Sequence, residues 1–226
     1  MSASALVVFA KQPVAGRVKT RMCPPLERGQ AAELYARMLA DVLEESLRAC
    51  DRSGAQLFLA VHPPEAVPSM SEAAGGRVEA FAQRGKDLSA RMHAALQRLA
   101  GRGFDRLAIR GSDSPALAAA RIEEAFQSLE AADLAIARDA DGGYALLALR
   151  EPHPALFDHP MSTASVADDT LGNARTLGWR CQELAPGFDL DTVEDLARLR
   201  ALPRRLTDVL CPRTVKLLDE RGWWPD

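Results

Sequence analysis

The sequence lacks any long hydrophobic run, and its few cysteines and histidines show no ligand-like spacing. No apolar stretch approaches the ~18 residues that a membrane-spanning helix needs. The N-terminus also lacks the basic and apolar segments of a signal peptide. The four cysteines form no Cys-x-x-Cys pair and have no histidine at zinc spacing; they are Cys23, Cys50, Cys181 and Cys211. These absences predict reduced thiols in a cytoplasmic protein that binds no membrane.

An excess of positive charge and the familiar glycine-rich nucleotide motifs are also lacking. With 28 Lys and Arg against 31 Asp and Glu, the formal net charge is −3, which argues against general nucleic-acid binding. The chain contains neither the Gly-Lys-Ser/Thr ending of a Walker loop nor a Gly-x-Gly-x-x-Gly fingerprint. Nothing in the sequence therefore indicates an ordinary P-loop kinase or a dehydrogenase.

What the sequence does have is an alternation of strand-like and helix-like segments. Strand patterns fall at 5–10, 56–61, 78–82, 106–111, 133–137, 144–150 and 179–184. Helical periodicity falls at 27–49, 87–100, 118–130 and 164–177, then from near Thr192 and within 204–221, whereas 62–77 has the composition of a loop. This order predicts an α/β fold, a three-layer α/β/α sandwich with a mostly parallel sheet. We expect one domain over residues 1–226 with a helical tail from about 201 to 226, packed on the same chain rather than on a second subunit of a homodimer.

Four cations lie in the loop after the first strand, at Lys11, Arg17, Lys19 and Arg21, with Gly16 among them. In open α/β sheets, ligands bind beyond the carboxyl ends of the strands where the winding direction reverses. Gly16 can bring backbone amides close to an anion, and the cations can donate charged hydrogen bonds to phosphate oxygens. The loop therefore indicates binding of a diphosphate or triphosphate, with a solvated basic loop as the alternative.

Carboxylates lie at the ends of several predicted strands. Asp113 follows the strand at 106–111, and Asp189 and Asp191 precede the helix near Thr192. Asp139 and Asp141 form a third candidate beside two glycines. Each cluster has a plain alternative, because aspartate also caps helices and closes turns. Two carboxylate clusters beside a cationic loop nevertheless favour a centre that binds a divalent metal and phosphate.

Six motifs follow one another in the order of a known family: FAKQPVAGRVKTR, QRGKDLSARM, GSDSPAL, DADGGYALLAL, MSTASV and DLDTVEDL. From about residue 5 to 200 the chain resembles the bacterial GT-A-like transferases associated with radical-SAM and selenodomain proteins. They belong to the nucleotide-diphospho-sugar transferase superfamily, and some members carry an arsenosugar-biosynthesis glycosyltransferase label. The family is also similar to phospholactate guanylyltransferases and, more distantly, to the molybdenum-cofactor and sugar nucleotidyltransferases.

The resemblance implies a role for each matching position. The nucleotide-phosphate loop would comprise Lys11, Gly16, Arg17, Lys19 and Arg21, and the nucleotide pocket would add Asp87 and Arg91. Mg²⁺ or Mn²⁺ would be held by Asp113 and Asp191. The acceptor side would comprise Gly142, Gly143, Tyr144, Ser162 and Thr163. The catalytic groups would be Asp113, Lys19 and Asp141.

The chain departs from the family pattern on the implied acceptor side. Ala116 stands where the family often has aspartate, Met161 stands where tryptophan is common, and Ala137-Arg138 replaces the usual Gly-Pro. The resemblance implies Mg²⁺-dependent glycosyl transfer from a nucleotide sugar to a small acceptor. Nucleotidyl transfer from a nucleoside triphosphate to a phosphate or carboxylate, with release of pyrophosphate, is a close alternative. A non-catalytic nucleotide-binding scaffold is the third hypothesis.

Overall fold

A computed structural model describes residues 3–161 and 163–225, which contain a seven-stranded sheet. The strands are β1 (Ser4–Lys11), β2 (Gln56–His62), β3 (Glu79–Ala82), β4 (Arg106–Gly111), β5 (Leu134–Arg138), β6 (Tyr144–Leu149) and β7 (Cys181–Leu184). Their order is β3-β2-β1-β4-β6-β5-β7, and only the pairings of β6 with β4 and β5 are antiparallel. The predicted α/β fold with a mostly parallel sheet is confirmed.

Helices cover both faces of this sheet. They are α1 (Arg28–Ser53), α2 (Val67–Ala74), α3 (Leu88–Ala100), α4 (Ala119–Ser128), α5 (Val166–Thr176), α6 (Val193–Ala201), α7 (Arg204–Leu210) and α8 (Pro212–Arg221). Successive residues of β1 point to opposite faces, as the pleat requires. Leu6 packs with α1 and α4, whereas Val7 packs with α3 and α5. The near-continuous apolar strands of the sequence therefore form the middle layer of a sandwich.

Two local predictions were wrong. Residues 62–77, predicted as a loop, contain α2, which tolerates Pro68 because the proline lies in the first helical turn, where its missing N–H costs nothing. The single tail helix expected within 204–221 is two helices, since Pro212 begins α8 after a break at Cys211. Among the described residues, no helix combines the length and the apolar character that a membrane crossing requires.

The tail helix α8 packs against α1. Its Val215 and Leu218 are buried in a cluster with Leu34 of α1. The buried carboxylate of Asp41 accepts hydrogen bonds from the backbone N–H of Thr214 at 2.8 Å and from its hydroxyl at 2.7 Å. A charged group that is satisfied in this way holds the first turn of α8 onto the body of the chain.

The winding direction of the sheet reverses between β1 and β4. β1 pairs with β2 on one side and with β4 on the other, and all three strands run in the same direction. The loops that leave β1 and β4 therefore begin side by side at one edge of the sheet and diverge from there. This edge is where an open α/β sheet forms a ligand crevice.

Candidate functional site

A cleft of about 860 Å³ opens at this edge of the sheet. Its lining runs from the β3 end to the β6 end. From the end of β3 and from α3 come Gln83, Leu88, Arg91 and Met92; from the loops that carry charge come Lys11, Arg17, Lys19, Arg21, Asp113, Asp189 and Asp191; from β6 and the segments around it come Asp141, Gly143, Tyr144, Met161 and Thr163. The cleft thus combines a group of charged side chains with an apolar part in which Tyr144 of β6 contacts Met92 of α3.

Lys19 is the centre of the charged region. Its side chain is only 2% exposed, and its Nζ lies 2.7 Å from Oδ1 of Asp191 and forms an ion pair with Asp113. Its backbone adopts the left-handed region with φ of 49°, which no other non-glycine residue of the described chain does. Such a conformation costs free energy and is typical of functional sites. It directs a lysine into the space between two carboxylates that are far apart in sequence.

These charges shift one another's pKa values. Burial alone would lower the pKa of Lys19, but the charges of Asp113 and Asp191 outweigh it, so this pKa is raised. Burial alone would likewise raise the pKa of Asp191, but Lys19 and Arg21 together hold it below its usual range. The centre therefore places the ammonium group of Lys19 between the carboxyl groups of Asp113 and Asp191.

Asp113 does not cap a helix, although its position in the sequence is compatible with that role. The helix that follows begins at Ala119, and its N-cap position is Ala118. The carbonyl oxygen of Asp113 accepts a hydrogen bond from the N–H of Leu190 at 2.8 Å. This bond ties the loop after β4 to the segment that carries Asp191. The two carboxylates are thereby brought together by backbone pairing.

Asp191 is likewise not a cap. Thr192 caps α6 in a reciprocal pairing with Asp195, whose carboxylate also accepts a hydrogen bond from the N–H of Asp191 at 3.0 Å. The side chain of Asp191 is left to contact Lys19 and Arg21. A capping box thus fixes the backbone that presents the carboxylate.

A second carboxylate pair lies beside the first. Asp189 N–H donates to Oδ1 of Asp139 at 3.3 Å, and the hydroxyl of Ser114 donates to Asp189. Burial, and then the charges of Asp113 and Asp139, hold the pKa of Asp189 well above its usual range. The sequence indicates Asp139 and Asp189 only as members of acidic clusters. Their burial could not be predicted, because it depends on a contact between residues that are 50 positions apart.

Arg110 is a buried cation that sequence reasoning missed. Its guanidinium donates to the carbonyl of Ser114 at 2.7 Å and to the hydroxyl of Ser46 at 3.3 Å. Burial lowers the pKa of Arg110 to about 10. The available signal was a charged residue inside the apolar strand pattern of 106–111, where an arginine needs partners. Arg110 supports the loop that carries Asp113.

The other residues that the resemblance assigns to nucleotide binding fall into two groups in the structure. Lys11, Arg17 and Arg91 line the cleft. Gly16 and Asp87 lie outside its lining: Gly16 allows the loop to turn with φ of 77°, and Asp87 caps α3 by accepting from the N–H of Ala90 at 2.8 Å. The cations are therefore in reach of a ligand, and the other two residues shape the segments that carry them.

The residues that the resemblance assigns to the acceptor side also fall into two groups. Asp141, Gly143, Tyr144 and Thr163 line the cleft, and Ser162 lies outside the described residues. Gly142 packs instead against the neighbouring loop, since a Cβ at this position would lie 2.0 Å from the carbonyl oxygen of Ala164. No side chain larger than hydrogen fits there without movement of that backbone.

The described residues contain no group of three or more His, Cys, Asp or Glu side chains arranged to hold a metal ion. They do contain Asp113 and Asp191, whose carboxylates converge on one cationic nitrogen. Mg²⁺ is commonly bound by one or two carboxylates together with substrate phosphates and water. The pair therefore fits a divalent ion that arrives with a phosphate ligand.

A protein-family model for "Uncharacterized protein conserved in bacteria (DUF2064)" matches residues 45–163. The chain belongs to the DUF2064 family. Across its full length, this DUF2064 protein is 30% identical to a candidate nucleotide-diphospho-sugar transferase from Desulfovibrio desulfuricans G20, with a TM-score of 0.89 and 100% of each chain covered. No curated protein sequence matches it.

More distant solved structures share the fold. A CMP:2-keto-3-deoxy-manno-octonic acid synthetase complexed with CTP has a TM-score of 0.54 at 16% identity, covering 88% of this chain and 98% of the other. A Mycobacterium tuberculosis H37Rv protein in complex with manganese has a TM-score of 0.51 at 19% identity, covering 88% and 97%. The architecture of the DUF2064 protein is thus that of the nucleotide-diphospho-sugar transferase group.

Proposed function

We propose that this protein is a divalent-metal-dependent transferase that uses a nucleotide sugar as glycosyl donor and a small molecule as acceptor. The observation that carries the proposal is the convergence of two carboxylates on the buried ammonium of Lys19, at the switch point of the sheet. A site of this kind can bind a metal cation and phosphate oxygens at the same place. The full-length relative from Desulfovibrio desulfuricans supports the same transferase class.

Asp113 and Asp191 would hold Mg²⁺ or Mn²⁺, which when bound would neutralise charge on the diphosphate. Lys19 would move from the carboxylates to a phosphate oxygen, with Arg17 and Arg21 donating further charged hydrogen bonds. These groups act where negative charge develops as the diphosphate departs, which is where stabilisation accelerates the reaction. One structure that shares the fold contains CTP and another contains manganese, which supports a nucleotide and a divalent ion as ligands.

An acceptor hydroxyl needs a base if the sugar is inverted, and Asp141 is the candidate. It lines the cleft at the β6 end, where Tyr144 and Thr163 are also found. One oxygen of Asp141 accepts a hydrogen bond from the N–H of Gly143 at 2.9 Å. This bond orients the carboxylate, and the other oxygen is left to take a proton.

One observation favours nucleotidyl transfer as the second candidate. Asp141 is solvent-exposed, so water competes with an acceptor hydroxyl for its carboxylate. An acceptor phosphate or carboxylate is already ionised and would need no base to attack the α-phosphorus of a nucleoside triphosphate. The cations of the loop after β1 also suit a triphosphate.

The leaving group distinguishes the candidates. The protein is incubated with Mg²⁺, pooled nucleotide sugars or nucleoside triphosphates, and a library of small hydroxylated, phosphorylated and carboxylated acceptors. Release of a nucleoside diphosphate supports glycosyl transfer, whereas release of pyrophosphate supports nucleotidyl transfer. Nucleotide binding without Mg²⁺, unchanged in Asp113→Asn, would contradict both and favour a non-catalytic scaffold.

A further inference from the structure

Tyr35 of α1 connects the two loops that diverge at the switch point of the sheet. Its hydroxyl oxygen lies 3.0 Å from the backbone nitrogen of Lys11, the last residue of β1, and 2.7 Å from Oγ of Ser112, which directly follows β4. Tyr35 and Ser112 are each only 3% exposed, and both line the cleft. A tyrosine of the longest helix therefore holds the hydroxyl of Ser112 in one place at the wall of the cleft.

The direction of these two hydrogen bonds follows from the groups involved. The backbone N–H of Lys11 can only donate, so the oxygen of Tyr35 accepts there. Among the described residues, the one acceptor in reach of the Tyr35 proton is Oγ of Ser112. Burial, and then the charge of Asp113, raises the pKa of Tyr35, so the hydroxyl keeps this proton. If Ser112 donated instead, the Tyr35 proton would be buried without a partner, which costs free energy.

The proton of Ser112 is therefore left without a protein acceptor. Within the part of the chain that the structure describes, Oγ of Ser112 has no hydrogen-bond partner other than the Tyr35 hydroxyl. A serine hydroxyl carries one donor and two acceptor sites, and Tyr35 uses one of the acceptor sites. The wall of the cleft thus offers a neutral O–H donor, and a ligand acceptor that meets it breaks no hydrogen bond of the protein.

This donor lies beside the charged centre of the cleft. Ser112 immediately precedes Asp113 in the chain, and Nζ of Lys19 lies 5.9 Å from the centroid of the Tyr35 ring. After burial, the charges of Asp113 and then of Asp191 contribute to the raised pKa of Tyr35. The Ser112 proton is therefore close to the groups proposed to bind a metal ion and phosphate. The ligand acceptor that suits this place is a phosphate oxygen.

We propose that the hydroxyl of Ser112 donates a hydrogen bond to a phosphate oxygen of the bound diphosphate, and that Tyr35 is the positioning residue that fixes the direction of this proton. The inference rests on the proposed function, since it concerns the phosphates of that same site. It holds for glycosyl and for nucleotidyl transfer, because both place a diphosphate at the charged centre. A hydrogen bond to a charged oxygen is stronger than one between neutral groups.

The test is titration calorimetry with Mg²⁺, using inorganic pyrophosphate and the diphosphates of adenosine, cytidine, guanosine and uridine as probes. Ser112→Ala should weaken binding of pyrophosphate and of the best nucleoside diphosphate about tenfold or more. Tyr35→Phe should weaken both about fivefold in the wild-type background and less than about twofold in Ser112→Ala, because Tyr35 acts through Ser112. Ser128→Ala is the matched control, since its hydroxyl donates to the carbonyl of Glu124 in the same helix.

The outcomes separate the inference from the function on which it rests. Unchanged affinity for both probes in Ser112→Ala overturns the inference and leaves the proposed function standing. A loss confined to nucleoside diphosphates, with pyrophosphate binding spared, overturns the contact with phosphate. An effect of Tyr35→Phe that is equally large in both backgrounds overturns its positioning role, because a merely structural effect would be additive.

Failure of every probe to bind wild-type protein overturns the proposed function and the inference together. Urea unfolding checks that each variant is folded. Ser112→Ala removes a single oxygen atom, so its comparison with wild-type protein decides the hydrogen bond to phosphate even where Tyr35→Phe does not fold.

Discussion

Lys19 occupies the position that the proposed metal ion would take, which makes its removal informative. Its ammonium contacts both Asp113 and Asp191 and is almost wholly buried. Without nucleotide, Lys19 and a divalent ion should therefore compete for the same two carboxylates. Lys19→Met keeps the length of the side chain and removes the charge, so it should turn a lysine-occupied site into one that binds metal alone.

The size of the effect follows from burial. Removing one partner of a fully buried ion pair costs about 3–5 kcal/mol. The side chains of Asp113 and Asp191 are 37% and 28% exposed, and solvent screening reduces the expected loss to about 1–2 kcal/mol. We expect Lys19→Met to lose this much unfolding free energy without metal. We also expect Mn²⁺ to bind about tenfold more tightly, which corresponds to ~1.4 kcal/mol.

Both quantities can be measured without any substrate. Urea unfolding gives the stability difference, and the electron paramagnetic resonance signal of free aqueous Mn²⁺ gives the metal affinity during titration. Lys216→Met is the matched control, because Lys216 is largely exposed on α8 and has one 3.7 Å ion pair. Equal Mn²⁺ affinity in wild-type protein and Lys19→Met would refute the competition between ammonium and metal.

Three further predictions concern the loop, the tail and a histidine. Arg17→Ala should weaken binding of the donor nucleotide by about 1–3 kcal/mol in titration calorimetry, the scale of a charged hydrogen bond, because Arg17 lines the cleft. Thr214→Val removes the 2.7 Å hydrogen bond to buried Asp41 and should cost about 1.5–3 kcal/mol in urea unfolding. Burial, then the charges of Arg91 and Lys11, lowers the pKa of His62, so NMR titration should give a midpoint below about 6.5, rising in Arg91→Gln. The unfolded state then binds the proton more readily, and this contribution to stability is present above about pH 6.5 and lost as the pH falls through the folded pKa.

Each of these has a result that would contradict it. Unchanged nucleotide affinity in Arg17→Ala would remove Arg17 from the phosphate site. A Thr214→Val variant no less stable than the exposed control Thr176→Val would show that the Asp41 contact does not anchor the tail. A midpoint of His62 that does not move in Arg91→Gln would show that the charge of Arg91 does not contribute to the lowered pKa.

The sequence was most informative where a property repeats along the chain. Alternating buried strands and amphipathic helices predict a parallel sandwich, and the switch-point rule then places the loop after β1 beside Asp113. Asp191 could be matched by its motif, but its freedom from capping became visible only in the pairing of Thr192 with Asp195. The α2 helix was not predicted because the proline and glycine content of residues 62–77 is typical of a loop. The burial of Met70, which stabilises the helix, is visible only in the fold.

What could not be predicted depends on contacts between distant segments. The sequence predicts that Lys19 contacts phosphate, and the structure places it against two carboxylates, an arrangement set by the backbone at residues 19, 113 and 191 together. The side-chain amide of Gln83, directly after β3, likewise donates to carbonyls of two other strands, β1 and β2. The composition and residue spacing of a sequence do not show which hydrogen-bonding groups of a side chain are already paired in the fold.

In the proposed site, Asp113 and Asp191 join a divalent ion to a nucleotide. A thermal-shift screen of nucleoside triphosphates, diphosphates and nucleotide sugars, each with and without Mg²⁺, tests it directly, since a ligand of the folded state raises Tm by mass action. We predict stabilisation by a nucleotide that requires Mg²⁺ in wild-type protein and is lost in Asp113→Asn. Stabilisation that is independent of Mg²⁺, or that persists in Asp113→Asn, would contradict this role of the two carboxylates.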